Sequence, residues 1–328
     1  MMTSLWALRV LTRCLAVHNL VRRKDGTLNR RPVDVVEWLL SVNTKVVDGV
    51  ATFDEVVDSA TGVWVRLFVP TQKTEVGTSG NGKKMPVVVY HHGGGFVFFQ
   101  PNSVVYDQFC RRLARKCQAV VISVHYRRAP EHKLPTAYDD SYSVLEWLNS
   151  EKSEKHLPSN VDLSRVFLAG DSAGGNIVHH VAIQAAGKSL DRLTLKGLLL
   201  IQPFFGGEER TPIEVREKDP LIITQELTDW FWKAYLPPGS NRDHPASNVF
   251  GPHSNDISNV PVPPVAMFVG GRDILHDWQM RYAEDMKKAG KRVQVLFYED
   301  GVHLMCHFNQ AGIGKQMMGD IVSFIENH

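Results

Sequence analysis

The chain has 328 residues, of which 43% are hydrophobic, so its length and composition suit one large α/β domain with a substantial core. The 37 Lys and Arg residues nearly balance the 35 Asp and Glu residues, and the resulting net charge of +2 argues against a surface dedicated to nucleic acid or to an acidic membrane. No stretch approaches the ~20 apolar residues of a membrane span, and the four cysteines lack a metal-binding spacing.

Residues 1–50 are interpreted as an N-terminal helical segment, and residues 51–328 as a single α/β domain. The apolar residues of Ser4–Val21 recur at helical spacing, which predicts an amphipathic helix packed on that domain. Arg9 and Arg13 interrupt the apolar core that a signal peptide needs, and a mitochondrial presequence is the alternative because the segment is free of acidic residues. Cysteines without an obvious disulfide partner and the lack of an N-x-S/T site favour the cytoplasm, with the nucleus also open.

From residue 52 onward, strand-like runs alternate with helix-like stretches, which predicts a mostly parallel sheet covered by helices on both faces. A polar segment rich in Gly, Ser, Thr and Lys, residues 71–84, is predicted to be a mobile loop. The predicted strands are 63–69, 86–90, 119–124, 166–169, 197–201, 265–269 and 293–298. The predicted helices include 104–116, 138–149, 176–186, 225–235 and 278–289.

A glycine-rich segment, His92–Phe96, follows the second of these strands. In an H-G-G-G loop of this type, backbone N–H groups bind the oxyanion that forms when a nucleophile attacks an ester carbonyl. Glycine suits the task because it has no Cβ to obstruct a bound acyl group. The loop predicts oxyanion donors at Gly93, Gly94 and Gly95. The side chains that follow it are predicted to line the pocket, namely Val97, Phe98 and Tyr106.

A second motif, Gly170–Gly174, matches G-x-S-x-G and lies between a predicted strand and a predicted helix. In an α/β-hydrolase this pattern marks the sharp strand-to-helix turn that carries a nucleophilic serine. The sequence therefore predicts Ser172 as the nucleophile and the N–H of Ala173 as a further oxyanion donor. Serine is a poor nucleophile at neutral pH, so a base must lie within hydrogen-bond reach.

Two later segments supply the base and an acid in the chain order serine, acid, histidine. Asp273 follows the predicted strand 265–269, and His303 follows the last predicted strand. His303 would take the proton from the serine, and Asp273 would hold the imidazole in the required tautomer. Asp277 is the alternative acid, because it begins the next predicted helix.

With these residues the chain resembles the hormone-sensitive-lipase-like branch of the α/β-hydrolases, and within it the plant carboxylesterases. The resemblance implies an α/β-hydrolase fold with an N-terminal helical lid over the acyl pocket. It also implies hydrolysis of carboxylic esters by Ser172, Asp273 and His303. The segments that carry it, besides the two glycine motifs, are Tyr126–His132, Pro203–Thr211 and Arg242–Pro245.

The same branch contains the gibberellin receptors, which resemble esterases that lost catalysis and kept the pocket. The chain is similar to them in Asp25–Thr27 and Asp229–Ala234, so a hormone-binding protein with little or no catalysis is the alternative function. Three differences argue for the enzyme. The receptors have an aliphatic residue in place of His303, a serine that meets the hormone's carboxylate in place of Gly95, and an acidic–basic pair in place of Leu227–Thr228. A buried carboxylate without such donors is costly, so capture of an acidic ligand should be weakened.

We therefore expect a serine carboxylesterase that hydrolyses small to medium hydrophobic esters through an acyl-enzyme intermediate. Phe231 and Leu304 complete the predicted pocket. In the active esterases that the chain resembles, the histidine is usually followed by Gly-Phe and not by Leu-Met, which bears on the shape of the pocket. Neither a cofactor nor a metal is expected. The expected partner is a small-molecule ester, and no nucleic acid, membrane or protein partner is implied.

Overall fold

The computed structural model describes residues 21–71, 84–216, 222–308 and 312–328. The predicted helix Ser4–Val21 lies outside these ranges except for its last residue, and the predicted loop 71–84 lies outside them except for its two ends. None of the helices within the described ranges is both long enough and apolar enough to cross a membrane.

The described residues form one eight-stranded sheet, and its order in space differs from its order in the chain. The strands are β1 Val50–Asp58, β2 Val63–Pro70, β3 Met85–His91, β4 Val120–His125, β5 Val161–Asp171, β6 Leu195–Ile201, β7 Val265–Gly270 and β8 Val293–Tyr298. They lie side by side as β1-β2-β4-β3-β5-β6-β7-β8. The six strands from β4 to β8 in this order pair in parallel, and β1 and β2 add an antiparallel edge. The prediction of a mostly parallel sheet is confirmed.

Helices surround this sheet. They are α1 Arg30–Leu39, α2 Val104–Cys117, α3 Thr136–Leu148, α4 Ala173–Ala186, α5 Pro212–Arg216, α6 Gln225–Tyr235, α7 His276–Lys288, α8 Met305–Phe308 and α9 Ile313–Asn327. A 3₁₀ helix covers Glu151–His156. The interior strands β3 and β7 are buried at every position, as continuous apolar runs are when both faces of a parallel sheet are covered. This burial explains why both strands could be predicted from sequence.

The predicted strands omit β1, which lies at the edge of the sheet and is partly exposed. Its apolar run is interrupted by Asp54 and Glu55, so the alternation is weak. The structure explains one of these acids, because Asp54 pairs across the strands with the buried Arg66 through contacts of 2.6 and 2.7 Å. A cross-strand ion pair therefore takes the place of an apolar cross-strand contact at this position.

The topology determines where the predicted site residues meet. His92 follows β3, Ser172 follows β5, Asp273 follows β7 and His303 follows β8. Since these strands run in parallel, their carboxyl ends share one edge of the sheet. Ligand sites of open α/β sheets lie at that edge.

Candidate active site

Ser172 occupies the turn between β5 and α4 in a backbone conformation that L-residues rarely adopt, with φ 52° and ψ −119°. The turn is held on both sides, because the Ser172 N–H donates to the carbonyl of Ile201 (2.9 Å) and the Ser172 carbonyl accepts from the N–H of Phe204 (2.8 Å). Strain of this kind costs about 1–3 kcal/mol and persists only where the surroundings enforce it. A strained strand-to-helix turn of this type presents the serine hydroxyl at the end of the sheet.

The two glycines that flank this serine allow the strand and the helix to approach closely. A Cβ at Gly174 would overlap the carbonyl group of His91, and a Cβ at Gly170 would overlap the carbonyl group of Gly174. A side chain at Gly170 would therefore force β5 and α4 apart, and one at Gly174 would force α4 away from the end of β3. The glycines of G-x-S-x-G are a packing requirement of this turn.

His303, in the loop after β8, links the serine to a carboxylate. Its Nε2 lies 3.1 Å from Oγ of Ser172, and its Nδ1 lies 2.9 Å from Oδ2 of Asp273. All three side chains are buried, and Asp273 is completely so. The structure thus brings together the three residues that the sequence predicts as nucleophile, base and acid, at distances that a base-activated serine requires.

The Asp273 carboxylate is held in place by further donors. Its Oδ2 accepts from the side-chain amides of Gln202 (2.9 Å) and Gln279 (3.1 Å), and its Oδ1 accepts from the N–H of Leu275 (3.0 Å). A buried carboxylate needs such partners, because an unpaired one would be expensive to keep ionised. The orientation of the acid is therefore determined by its surroundings.

Asp277, the alternative acid, contacts different groups. Its Oδ2 accepts from the N–H of Ile213 (3.0 Å), and its Oδ1 lies 2.9 Å from Nδ1 of His276. Burial raises the pKa of Asp277, but the hydrogen bonds from His276 and Ile213 bring it below its usual value. Asp273, and not Asp277, is the carboxylate in contact with His303.

The glycine loop differs from its prediction at Gly93. The Gly93 N–H donates to the hydroxyl of Tyr106 (2.9 Å) and to Oδ1 of Asp171 (3.0 Å). It is therefore committed to the protein and is not available to a substrate oxyanion. This position is corrected from an oxyanion donor to an anchor of the loop.

The other three predicted donors lie where an oxyanion could reach them. Within the described ranges, the N–H groups of Gly94, Gly95 and Ala173 have no acceptor in the protein. Gly94 and Gly95 line the cavity beside Ser172, and Ala173 is the next residue in the chain. Gly95 has a φ of +62°, and a Cβ at this position would overlap the ring of Phe231. Only glycine fits this position as the cavity stands.

Asp171, the residue before Ser172, fixes the position of the glycine loop. It is buried and accepts from the hydroxyls of Tyr90 (2.7 Å) and Tyr106 (3.0 Å) as well as from Gly93, and Nε2 of His307 lies 3.5 Å away. Burial alone would raise the pKa of Asp171, but the interaction with His307 and the two hydroxyls bring it below its usual value. The ionised carboxylate therefore ties the loop after β3 to the end of β5.

A small cavity of about 40 Å³ opens beside Ser172 and His303. Its other walls are almost wholly apolar, and no Lys, Arg, Asp or Glu of the described ranges lines it. The lining residues are Gly94, Gly95, Phe99, Ser172, Phe204, Ile222, Ile223, Leu227, Thr228, Phe231, His303 and Leu304. Such a cavity favours the uncharged, apolar part of a ligand over a charged group.

The predicted lining residues Phe231 and Leu304 belong to this cavity, whereas Val97, Phe98 and Tyr106 do not. Phe98 packs against Trp230 and Phe231, with ring centroids 6.2 and 5.9 Å apart. The hydroxyl of Tyr106 accepts from the N–H of Gly93 and donates to Asp171. The reason is the path of the backbone, which bends through positive φ at the residues Phe96 and Phe99. These bends place Phe99 at the cavity instead of Val97 and Phe98.

Several lining residues were not predicted from the sequence. Leu227 and Thr228 lie four and three positions before Phe231 on α6, so helical spacing could have placed them on the same face. Phe204 follows β6 closely, a position that in this fold lies near the site. Ile222 and Ile223 lie in the loop before α6, and no pattern in the sequence indicates their role.

Known proteins share this architecture. Residues 88–307 match the family with the α/β-hydrolase fold. The gibberellin receptor GID1C of Arabidopsis thaliana is 41% identical over 94% of this chain and 90% of its own length. Carboxylesterase 20 of the same plant is 34% identical over 87% of this chain and 88% of its own length.

Solved structures give the same result. An esterase from the archaeon Pyrobaculum calidifontis superposes with a TM-score of 0.72 and 29% identity, covering 91% of both chains. The thermostable carboxylesterase EstE1 from a metagenomic library superposes with a TM-score of 0.73 and 29% identity, covering 91% of this chain and 95% of its own. The order of the strands, the strained turn at Ser172 and the matched relatives all agree. The chain therefore belongs to the α/β-hydrolase fold family.

Proposed function

We propose that this chain, a carboxylic ester hydrolase, cleaves its substrate through an acyl-enzyme formed on Ser172. His303 takes the proton as Oγ attacks the ester carbonyl, and Asp273 stabilises the imidazolium that results. His303 then protonates the leaving alcohol, and a water molecule activated in the same way releases the acid. The observation that carries the proposal is the continuous line of contacts from Oγ through both imidazole nitrogens to Asp273.

The developing oxyanion would bind the N–H groups of Gly94, Gly95 and Ala173. These groups lack a protein acceptor within the described ranges, and two of the three residues line the cavity. Removal of one such donor typically lowers kcat by about 10²–10³. Backbone donors are rigid, so they need little reorganisation when the charge develops.

The cavity supports small to medium, uncharged and hydrophobic esters as the substrate class. Its walls, beyond the reacting groups, are aromatic and aliphatic, with the hydroxyl of Thr228 already donating to the carbonyl of Gln225 (2.8 Å). An acyl or alkyl group would bury apolar surface there. A carboxylate would lose its hydration without a cationic partner in the described lining.

A hormone-binding function is the second candidate, and the 41% identity to a gibberellin receptor favours it. Two observations in the structure weigh against it. The resemblance implies that such receptors lack the catalytic histidine. In this chain His303 is present and contacts Ser172. A serine in place of Gly95 could not be accommodated unless the ring of Phe231 moved.

The test is hydrolysis of p-nitrophenyl acetate and butyrate by the wild type and by matched variants. Ser172→Ala and His303→Ala should each lower kcat/KM by about a thousandfold or more. The two acids provide an internal control, since Asp273→Asn should lower kcat by about 10⁴ while Asp277→Asn should stay within about threefold of the wild type.

Turnover by the folded wild type that equals the Ser172→Ala background would overturn the proposal. In that case calorimetry with an active gibberellin decides whether the hormone-binding candidate takes its place, and a micromolar Kd or tighter would favour it. An equal loss in Asp273→Asn and Asp277→Asn would instead contradict the assignment of the acid.

A further inference from the structure

Gln202, the residue directly after β6, has a backbone and a side chain that are both unusual. It is 1% exposed and has a φ of 45°, in the left-handed region that glutamine rarely occupies. Its N–H donates to the carbonyl of Phe268 in β7 (2.9 Å), which fixes the backbone against the neighbouring strand. A strained, buried polar residue beside a reactive site calls for an explanation in terms of its side chain.

The side-chain amide of Gln202 joins two separate parts of the site. Its Nε2 donates to Oδ2 of Asp273 (2.9 Å) and to the carbonyl of Val302 (2.9 Å), and its Oε1 accepts from the N–H of Met305 (3.2 Å). The two backbone partners lie on either side of His303 in the chain. One amide therefore uses both its donors and its acceptor on the groups that hold the imidazole.

The contact with the acid involves the same oxygen that faces the histidine. Oδ2 of Asp273 lies 2.9 Å from Nδ1 of His303 and 2.9 Å from Nε2 of Gln202. The loop that carries His303 contains Leu304 with a φ of 60°, so its path depends on contacts with the rest of the protein. Gln202 supplies two of these contacts, through Val302 and Met305.

We propose that Gln202 is a positioning residue for the proposed ester hydrolysis. By holding the His303 loop and Asp273 in a fixed arrangement, Gln202 keeps Nε2 of His303 within reach of Ser172. The inference rests on the proposed function, because it concerns the geometry of the same reaction. Catalysis is sensitive to this geometry, since a displacement of about 1 Å can lower a rate by about 10².

Gln279 is a matched control within the same site. It is the same residue type, it is completely buried, and its Nε2 donates to the same oxygen of Asp273 (3.1 Å). Within the described ranges, Oε1 of Gln279 has no hydrogen-bond partner, and no hydrogen bond joins Gln279 to the loop around His303. Loss of either amide removes one donor from the acid, but only loss of Gln202 releases the loop.

The experiment compares Gln202→Met, Gln202→Asn and Gln279→Met with the wild type on p-nitrophenyl butyrate. Methionine preserves length without hydrogen bonds, and asparagine tolerates the left-handed backbone but is too short to reach the loop. Both changes at Gln202 should lower kcat by about 30-fold or more, with KM within about threefold, because Gln202 itself does not line the apolar cavity. Gln279→Met should lower kcat by less than about fivefold.

Equal values of kcat for Gln202→Met and Gln279→Met would overturn the inference, because the contacts to the loop would then have no effect. A rise in KM at unchanged kcat would also overturn it, since that result means altered substrate binding. If Gln202→Met does not fold, as judged by circular dichroism, Gln202→Asn decides the question alone. Ser172→Ala, measured alongside, separates the two claims: if it matches the wild type, the proposed function fails together with the inference.

Discussion

At the scale of single residues, backbone strain is concentrated around the cavity. Seven non-glycine residues in the described ranges have a positive φ, and five of them lie in the loops that carry the site, namely Phe96, Phe99, Ser172, Gln202 and Leu304. Each conformation costs free energy and persists because tertiary contacts enforce it. Within the described ranges, the site is therefore where local preference is most often overruled.

Leu304 provides a prediction about substrate size. It lines the cavity of about 40 Å³ in a left-handed conformation (φ 60°) that glycine would adopt without strain. Leu304→Gly removes the side chain and should raise kcat/KM for p-nitrophenyl octanoate by about tenfold, since one methylene group more or less in an apolar pocket is worth about 1–3 kcal/mol. The value for the acetate ester should change by less than about threefold. Initial rates over the series from acetate to octanoate measure this selectivity.

Leu304→Ala is the control for this prediction, because it shortens the side chain but keeps the Cβ and the strained backbone. It should shift the preference in the same direction by a smaller factor. A ratio of octanoate to acetate that is unchanged in both variants would show that Leu304 does not limit the cavity.

At the scale of elements, helix α1 of the N-terminal segment forms hydrogen bonds with residues 97–99, which follow the glycine loop. Oε1 of Glu37 on α1 accepts from the N–H of Phe99 (2.8 Å), and its Oε2 pairs with Arg128 (2.6 Å). Arg30, at the start of α1, donates to the carbonyl of Val97 (2.7 Å). Since Phe99 lines the cavity, α1 acts on the pocket wall through the backbone.

Glu37→Ala tests this coupling. The change leaves the largely buried Arg128 without its carboxylate partner, which typically costs about 3–5 kcal/mol. We expect faster amide hydrogen exchange across α1 and a higher KM for the butyrate ester. Glu131→Ala is the control, because the Glu131–Arg30 pair is more exposed and should contribute less than about 1 kcal/mol. Exchange across α1 that is equally fast in the two variants would contradict the coupling.

At the scale of the whole molecule, buried histidines make stability depend on pH. Burial lowers the pKa of His91 to about 4 and that of His92 to about 3, and it lowers the pKa of His179 well below its ordinary value. Below a pH of about 6.5 the unfolded chain takes up protons on these residues that the folded protein does not. The free energy of unfolding should therefore fall as the pH drops from about 6.5 towards 4, by about 1.4 kcal/mol per pH unit for each histidine.

Urea unfolding at several values between pH 5 and pH 8 measures this dependence. His91→Leu removes one of the titrating groups. Below pH 6, the slope of its free energy of unfolding against pH should therefore be smaller by the amount that corresponds to about one proton. Equal stability of the wild type at pH 5 and pH 7 would contradict the prediction.

Part of this protein could be predicted from the sequence alone, for identifiable reasons. Strands such as β3 and β7 are continuous apolar runs because they are covered on both faces, and such runs are visible without a structure. The proximity of Ser172, Asp273 and His303 also follows from the sequence, because each comes just after a strand of the parallel sheet. Parallel strands bring their carboxyl ends to one edge whatever lies between them in the chain.

Only the tertiary structure decided which groups around Ser172, Asp273 and His303 form the rest of the site. It commits the N–H of Gly93 to Asp171, and it places Phe99 at the cavity in place of Phe98. It also brings the amide of Gln202 to the loop around His303, about a hundred positions further along the chain. These outcomes depend on single backbone angles and on contacts between distant segments. The pattern of residue types carries neither kind of information, because the same types fit either arrangement until the surrounding chain selects one.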